Sequence, residues 1–316
     1  VTADDVRSRL ATLRVHQSGG RRAPHKPLLL LYALGRFVAG VERLPFSKVE
    51  SVLRGLLRDF GPLRAQYHAQ YPFWRLQTSG LWTVHADGPL RTRASNTDPT
   101  RTSLHAANAV GQFTQETLAC LRREPALVGE AAAMLLEAHF APSLHDEIRT
   151  AVGLDLLASP ATADPPAAPL RSPSRRRDAA FREAVLRAYG YRCAVCGFET
   201  RVGHALVGVD AAHLWWHGHG GPDDVRNGVA LCALHHRLLD RGAFTLTRSA
   251  PAETRVETLV EVAEDAHGGD GFRRWLLDFH GQPIASPVQP ADRVSEPAMT
   301  WHRREVFRGP ARPTAR

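Results

Sequence analysis

The sequence has almost no lysine. Lys26 and Lys48 are the only two in 316 residues, although lysine and arginine together number 40. Cysteine is scarce, with four residues, and methionine scarcer, with two. No stretch approaches the roughly 20 consecutive apolar residues that a membrane-crossing helix needs, so no span is expected. The first residues, VTADDVRSRL, lack the basic-then-apolar pattern of a secretory leader. Four cysteines in a chain this long make no disulfide framework. These absences together point to a cytoplasmic protein, and no internal repeat is present.

What the chain does have is arginine and positive charge. The formal net charge is +8, and residues 1–157 carry 19 basic against 14 acidic residues. Residues 158–250 carry 12 against 8, and the last 66 carry 9 against 10. The excess therefore lies in the first two regions. Arginine forks onto phosphates and guanine edges, so a nucleic-acid partner is expected. A hydrophobic content of 43% and this length fit about two folded domains.

Residues 1–157 are expected to be mostly helical. ADDVRSRLATLRV has acidic residues at its start and apolar residues at helical spacing. PHKPLLLLYALGRFVAG is apolar nearly all round, which predicts a buried central helix. FSKVESVLRGLLRDFG carries Ser47 and Glu50 at capping-box spacing. YPFWRLQTSGLWTVHADGPL is aromatic and turn-rich, so short strands or a structured loop are expected there. FTQETLACLRREPALVGEAAAMLLEAHF and LHDEIRTAVGLDLL are again helical, with a break at Pro125, and Cys120 falls at a buried position. Residues 158–177, ASPATADPPAAPLRSPSRRR, form a Pro-, Ala- and Ser-rich linker ending in a basic cluster. A second domain, 178–316, follows. Its tail, with FRRWLLDFHGQPI and MTWHRREVF, is expected to be a helix and a short strand packing back on that domain, with no catalytic part for His302.

Cys193-x2-Cys196 and Cys232-x2-His235 are two ligand pairs separated by 35 residues. Tetrahedral zinc takes four soft or borderline ligands, and two short knuckles deliver them. A closed four-ligand site is structural. Between the knuckles, LVGVDAAHL reads as a strand carrying Asp210 and His213. A glycine-rich loop leads to Asn227, and a helix carries His236 and Asp240 at i and i+4, on one face. His236 and Asp240 can bind one divalent metal, and His213 can take a proton from water. His217 and His219 ride an exposed loop near DNA, and Trp215 and Trp216 are packing residues.

The order Asp210-x2-His213, Asn227, His236-x3-Asp240, with the knuckles interleaved, resembles the HNH nucleases. The resemblance covers roughly 178–248. It implies a ββα-metal fold, with His213 as general base and Asn227 fixing the catalytic loop. His236 and Asp240 would hold Mg²⁺ or Mn²⁺. Many relatives place a metal-binding acid or His directly before the base, where this chain has Ala212. Asp210 either supplies the missing carboxylate or braces the loop.

The stretches APHKPLLLLYAL, YPFWRLQTSGLWTV and TSLHAANAVGQF resemble the sulfur-binding domain of phosphorothioate-dependent type IV restriction enzymes. This resemblance covers most of 1–157 and implies double-stranded phosphorothioated DNA as the partner. A sulfur replacing a phosphate oxygen is larger, softer and less strongly hydrated, so a shallow apolar pocket accepts it at a lower desolvation cost. Pro72 and the Tyr71 ring are suitable walls, and Phe73 and Trp74 are core. His25 and Lys26 would hold the rest of the phosphate, with Arg75, Arg101, His105 and Asn108 on DNA backbone or base edges.

The expected class is α+β: a mainly helical DNA-binding domain joined to a zinc-stapled ββα-metal nuclease. The expected function is modification-dependent restriction of phosphorothioated DNA by a one-metal mechanism, with a homodimer or two binding events for a double-strand break. Two rivals stand beside it. One is an HNH enzyme reading methylated bases, which would need a deep aromatic cage at Tyr71-Pro72. The other is a non-catalytic, zinc-containing DNA-binding protein.

Overall fold

The computed structural model describes residues 1–13, 15, 23–92, 98–154, 173–249 and 257–313, with side chains omitted for 173–178. The chain divides into two compact units, Val1–Pro165 and Pro166–Arg316. The expected linker, 158–177, lies outside the described residues as far as residue 172. A helix begins at Pro173, inside that span. Among the described residues, no helix is long and apolar enough to cross a membrane.

The first unit mixes helices with one small sheet. Helix α1 (Ala3–Ala11) opens with Thr2 and Asp5 in a reciprocal capping box. Helix α2 (His25–Val38) is the centre of the unit, and Leu28, Leu29, Leu30 and Leu31 are each at most 1% exposed. Strand β1 (Leu44–Pro45) runs into α3 (Phe46–Phe60). Ser47 does not cap α3. The helix starts two residues earlier than that cap would set, at Phe46 after Pro45, with no side-chain cap, and Glu50 is buried for another purpose.

YPFWR is helix, not strand: α4 spans Gln70–Arg75 and continues as a 3₁₀ turn through Ser79. Pro72 is its third residue, where a missing N–H costs no helical bond. Aromatic content suggested a strand, but the packing of Phe73 into the core decides the conformation. Strand β2 (Trp82–His85), helix α5 (Arg101–Ala106) and strand β3 (Val110–Phe113) follow. β3 pairs antiparallel with both β1 and β2, giving the order β1-β3-β2. Trp82 lies over Gly111, whose missing side chain leaves room for the indole, and donates from Nε1 to the Phe73 carbonyl at 3.0 Å. Helices α6 (Gln115–Arg123), α7 (Ala126–His139) and α8 (His145–Val152) complete the unit, with Pro125 at the break and Cys120 buried.

The second unit opens with α9 (Pro173–Ala188). A short hairpin, β4 (Arg201–Val202) and β5 (Ala205–Leu206), leads to β6 (Val209–His213). β6 pairs antiparallel with β7 (Gly228–Cys232), from Val209↔Cys232 to His213↔Gly228. Helix α10 (Ala233–Asp240) follows directly, making the ββα unit. Strands β8 (Phe244–Arg248) and β9 (Thr258–Val262) form a hairpin, and α11 (Asp270–Trp275) and α12 (Glu296–Glu305) close the unit. MTWHRREVF is therefore largely helix rather than strand. Pro297, in the first turn, suits a helix start, and Trp301 and His302 are buried. His302 is buried and bonded at both nitrogens: Nε2 donates to the Leu239 carbonyl at 3.0 Å and Nδ1 accepts from Thr245 at 2.8 Å. Val185, Ala212, Leu214, Val229, Leu239 and Phe244 form the core beneath the ββα unit.

Candidate nuclease centre and DNA-binding residues

The adjacent histidines His235 and His236 lie on α10, about 100° apart around the axis. His235 turns inward and is 0% exposed. Its Nδ1 lies 3.1 Å from Cys232 Sγ and 3.7 Å from Cys193 Sγ, and Cys196 Sγ lies 3.9 Å from Cys232 Sγ. All four ligand atoms fall within 4.8 Å of one another. A tetrahedral zinc with bonds of about 2.3 Å to sulfur and about 2.0 Å to nitrogen spaces its ligand atoms about 3.5–3.8 Å apart. The quartet fits that ion. The other imidazole nitrogen, Nε2, donates to the Trp275 carbonyl at 2.8 Å, which leaves Nδ1 facing the cysteines.

His236 points about 100° away from the quartet's side of the helix. It is partly exposed, and its Nε2 lies 3.5 Å from Oδ2 of the buried Asp240. The i, i+4 spacing thus places one nitrogen and one oxygen donor on a single face. His213, the last residue of β6, stacks on Phe181 of α9 with ring centroids 3.8 Å apart and planes at 13°. Its Nε2 lies 3.0 Å from Asp223 Oδ1. Asp210 faces elsewhere: Oδ1 accepts from Arg182 Nε at 2.7 Å. Among the described residues, the cysteine–histidine quartet is the one group of three or more metal-ligating side chains.

Asn227 closes the loop between β6 and β7. Its Oδ1 accepts from the Trp215 N–H, and its Nδ2 donates to the carbonyls of Trp215 and Pro222, all at 2.9 Å. Trp215 and Trp216 pack against Trp301, with ring centroids 6.2 and 5.8 Å away. His217 is exposed and His219 partly so. Sequence reasoning passed over Asp223, Phe181 and the Trp275 carbonyl. The acidic pair in GGPDDVRN was visible, but nothing in its spacing pointed to His213.

In the first unit the expected DNA-binding residues fall into three groups. His25 and Lys26 begin α2, which packs against α4 with Tyr71, Pro72 and Arg75. Pro72 is buried and Tyr71 half-buried, so the tyrosine ring is the more open wall. The Arg75 guanidinium lies 5.1 Å from the Tyr71 ring centre and forks onto Asp98, with Nε 2.9 Å from Oδ2. Arg101 and His105 of α5 both bind Glu50; His105 Nε2 lies 2.7 Å from its carboxylate. Burial pushes the Glu50 carboxyl up, but hydrogen bonds from Arg101 and His105 outweigh it and hold the carboxyl below its ordinary range. Asn108, with φ of 46°, donates to Asp87 at 3.1 Å. The carboxylates Glu50, Asp98 and Asp87 were not expected from the sequence.

Burial, with the nearby charges of Arg64 and His68, pushes the His25 imidazole down to about 4. Burial, with the charge of Arg75, also lowers the Lys26 ammonium. His25 is therefore neutral at pH 7 and offers a hydrogen bond rather than a charge. In the unfolded chain it binds its proton near 6.5. Between these values the unfolded state holds more protons, so stability is full above the upper one and falls as pH drops toward the lower. The loss should reach up to about 3 kcal/mol. Urea midpoints of wild type and His25→Gln at pH 7 and pH 4.5 check this; equal pH sensitivity in both proteins would rule it out.

Residues 3–157 match the family model of the ScoMcrA-like DNA sulfur-binding domain, and residues 193–247 that of an HNH endonuclease. Among solved structures, the sulfur-binding domain of ScoMcrA complexed with phosphorothioated DNA is 26% identical. That match covers 46% of this chain and 94% of the other, with a TM-score of 0.40. The corresponding SprMcrA domain complex is 22% identical, covering 49% and 96%, with a TM-score of 0.42. The type IV phosphorothioation-dependent restriction endonuclease ScoMcrA is 26% identical over 46% of this chain, with a TM-score of 0.39. The matched part spans only 31% of that enzyme's length. No curated protein matches the chain. The second unit thus carries an HNH endonuclease domain. The N-terminal unit is a ScoMcrA-like DNA sulfur-binding domain.

Proposed function

We propose that the protein is a cytoplasmic restriction endonuclease that docks on phosphorothioated DNA and hydrolyses phosphodiester bonds near the mark. The observation that carries this reading is the union, in one chain, of a DNA sulfur-binding domain and an HNH endonuclease domain. In the first unit, the Tyr71 ring and Pro72 offer sulfur an apolar contact, and neutral His25 with Lys26 offers donors to the remaining phosphate oxygens. Arg75, Arg101, His105 and Asn108 are the candidates for backbone or base edges.

In the second unit, His213 takes a proton from water. The water oxygen bonds to phosphorus, and the bond to the 3′ oxygen breaks. Asn227 keeps the loop beside His213 in place. His236 and Asp240 would hold one divalent ion, Mg²⁺ or Mn²⁺, and when bound it would supply stabilisation of negative charge on the phosphate and the leaving oxygen. Zinc in the Cys193, Cys196, Cys232 and His235 quartet is structural. The Arg182 contact favours bracing over metal binding for Asp210. Each chain offers one such centre, so a double-strand break takes a homodimer or two binding events.

The test compares duplexes that differ by one sulfur atom. Mg²⁺- or Mn²⁺-dependent cutting should require the sulfur, and His213→Ala should bind the marked duplex without cutting it. Equal cutting of both duplexes would end the sulfur reading and leave the nuclease. Cutting by His213→Ala would remove His213 from the role of base.

A further inference from the structure

His213 is a free imidazole in the sequence but not in the fold. Phe181 fixes the plane of its ring by stacking, and Asp223 fixes the rotation of that ring within the plane. A carboxylate oxygen only accepts, so the proton shared at 3.0 Å belongs to Nε2 of His213. Nδ1 is then the nitrogen left with a lone pair. The other Asp223 oxygen lies 3.8 Å from Nε2 of His217, whose ring centre is 6.3 Å from that of His213. From α9, Arg182 is drawn to Asp210. From β7, the residue paired with His213 is Gly228, which carries no charge. Asp223 is thus an acid in hydrogen-bonding reach of the histidine, although it comes ten residues later and from the loop.

The loop is built to deliver it. Asn227 Nδ2 holds the carbonyl of Pro222, the residue immediately before Asp223. Gly221, the residue before that, approaches the Trp215 carbonyl so closely that a Cβ would collide with it. The loop's ends are tied through Trp215, and the tie falls next to the carboxylate that meets His213.

We infer that Asp223 is a positioning residue for the reaction proposed above. It selects the His213 tautomer that carries its proton on Nε2, and it stabilises the imidazolium formed when Nδ1 takes the proton of the attacking water. That proton ends on Nδ1, the hydroxide oxygen bonds to phosphorus, and the departing 3′ oxygen is protonated by solvent. Asn227 acts at one remove, by holding the peptide that presents Asp223. The inference rests on the reading of His213 as the base.

The experiment uses the full chain, Mn²⁺ and a phosphorothioated duplex under single-turnover conditions. Asp223→Asn keeps the shape and removes the charge. It should lower the cleavage rate by about 10²-fold without weakening DNA binding, and Asp223→Glu should recover part of the rate. Because a carboxylate raises the pKa of a neighbouring imidazole, its loss should also move the acid limb of the rate–pH profile to lower pH. Wild-type rates for Asp223→Asn, with His213→Ala inactive, would overturn the inference and leave the nuclease reading standing. Lost rate with an unshifted acid limb and no recovery by Glu would overturn it in favour of a loop-shaping role. Cutting by His213→Ala would instead bring down the reading beneath it.

Discussion

Replacing His235 with alanine should unfold the second unit, whereas replacing His236 should leave it folded and unable to cut. The two residues are adjacent on one helix, yet they belong to different structures. His235 is fully buried, offers Nδ1 to the quartet and donates from Nε2 to the Trp275 carbonyl. Its loss removes one of four ligands and the tie to α11. Structural zinc contributes roughly 10–16 kcal/mol in small zinc modules, as much as the whole stability of an ordinary domain, about 5–15 kcal/mol. His236 is partly exposed and meets Asp240 across one helical turn. Zinc content, far-ultraviolet circular dichroism and thermal scans of both variants decide the matter. His235→Ala should lose its metal and the transition of the second unit. His236→Ala should keep both and lose at least about 10²-fold in cleavage rate. A His235→Ala protein with one bound zinc and wild-type melting would reject the quartet.

Asn227→Asp is expected to be nearly as severe, for a different reason. Asn227 is 2% exposed, and its carboxamide is used at both ends: one oxygen accepts and one nitrogen donates twice. Aspartate has the same shape and no donors. Its second oxygen would face the carbonyls of Trp215 and Pro222 at close range, with like partial charges opposed. A buried charge without partners costs about 3–5 kcal/mol. In a unit of this size that corresponds to a drop of roughly 10 °C in Tm. Cleavage should be lost even below that temperature, since the loop carrying Asp223 is no longer tied. Melting within 2 °C of wild type, on the order of the shift expected from 1 kcal/mol, would show that the carboxamide is not the clasp.

The pattern of what could be read beforehand follows from the range of each interaction. The zinc quartet was legible because its ligands come in pairs three residues apart, a spacing that backbone geometry turns directly into a knuckle. His236 and Asp240 were legible because helical periodicity puts i and i+4 on one face. Asp223 was not, since its partner is ten residues away across an irregular loop. The same holds for Arg75 with Asp98, and for Glu50 with Arg101 and His105, which meet only after α3, α4 and α5 have packed. Glu50 also shows how a local rule loses to packing. Its spacing from Ser47 fitted a capping box, but Pro45 and the buried Phe46 start α3 earlier and leave Glu50 facing inward. YPFWR misled in the same way: aromatic side chains suit strands, yet Phe73 and Trp82 are satisfied by a helix beside a sheet.

The carboxylates that hold Arg75, Arg101 and His105 have a consequence for how tightly, and how selectively, such side chains grip. A long cation loose in solvent sheds rotamer freedom when it meets a phosphate, about 2 kcal/mol for an arginine. Here much of that freedom has already been surrendered on folding, against Glu50 and Asp98. In the proposed DNA complex the same carboxylates would cancel part of the positive field, so fewer condensed ions would be released per arginine, and affinity should depend on salt less steeply than the arginine count alone implies. Such a surface would favour fit over attraction, since a rigid, partly neutralised template discriminates one phosphate from its neighbours better than a cloud of free positive charge.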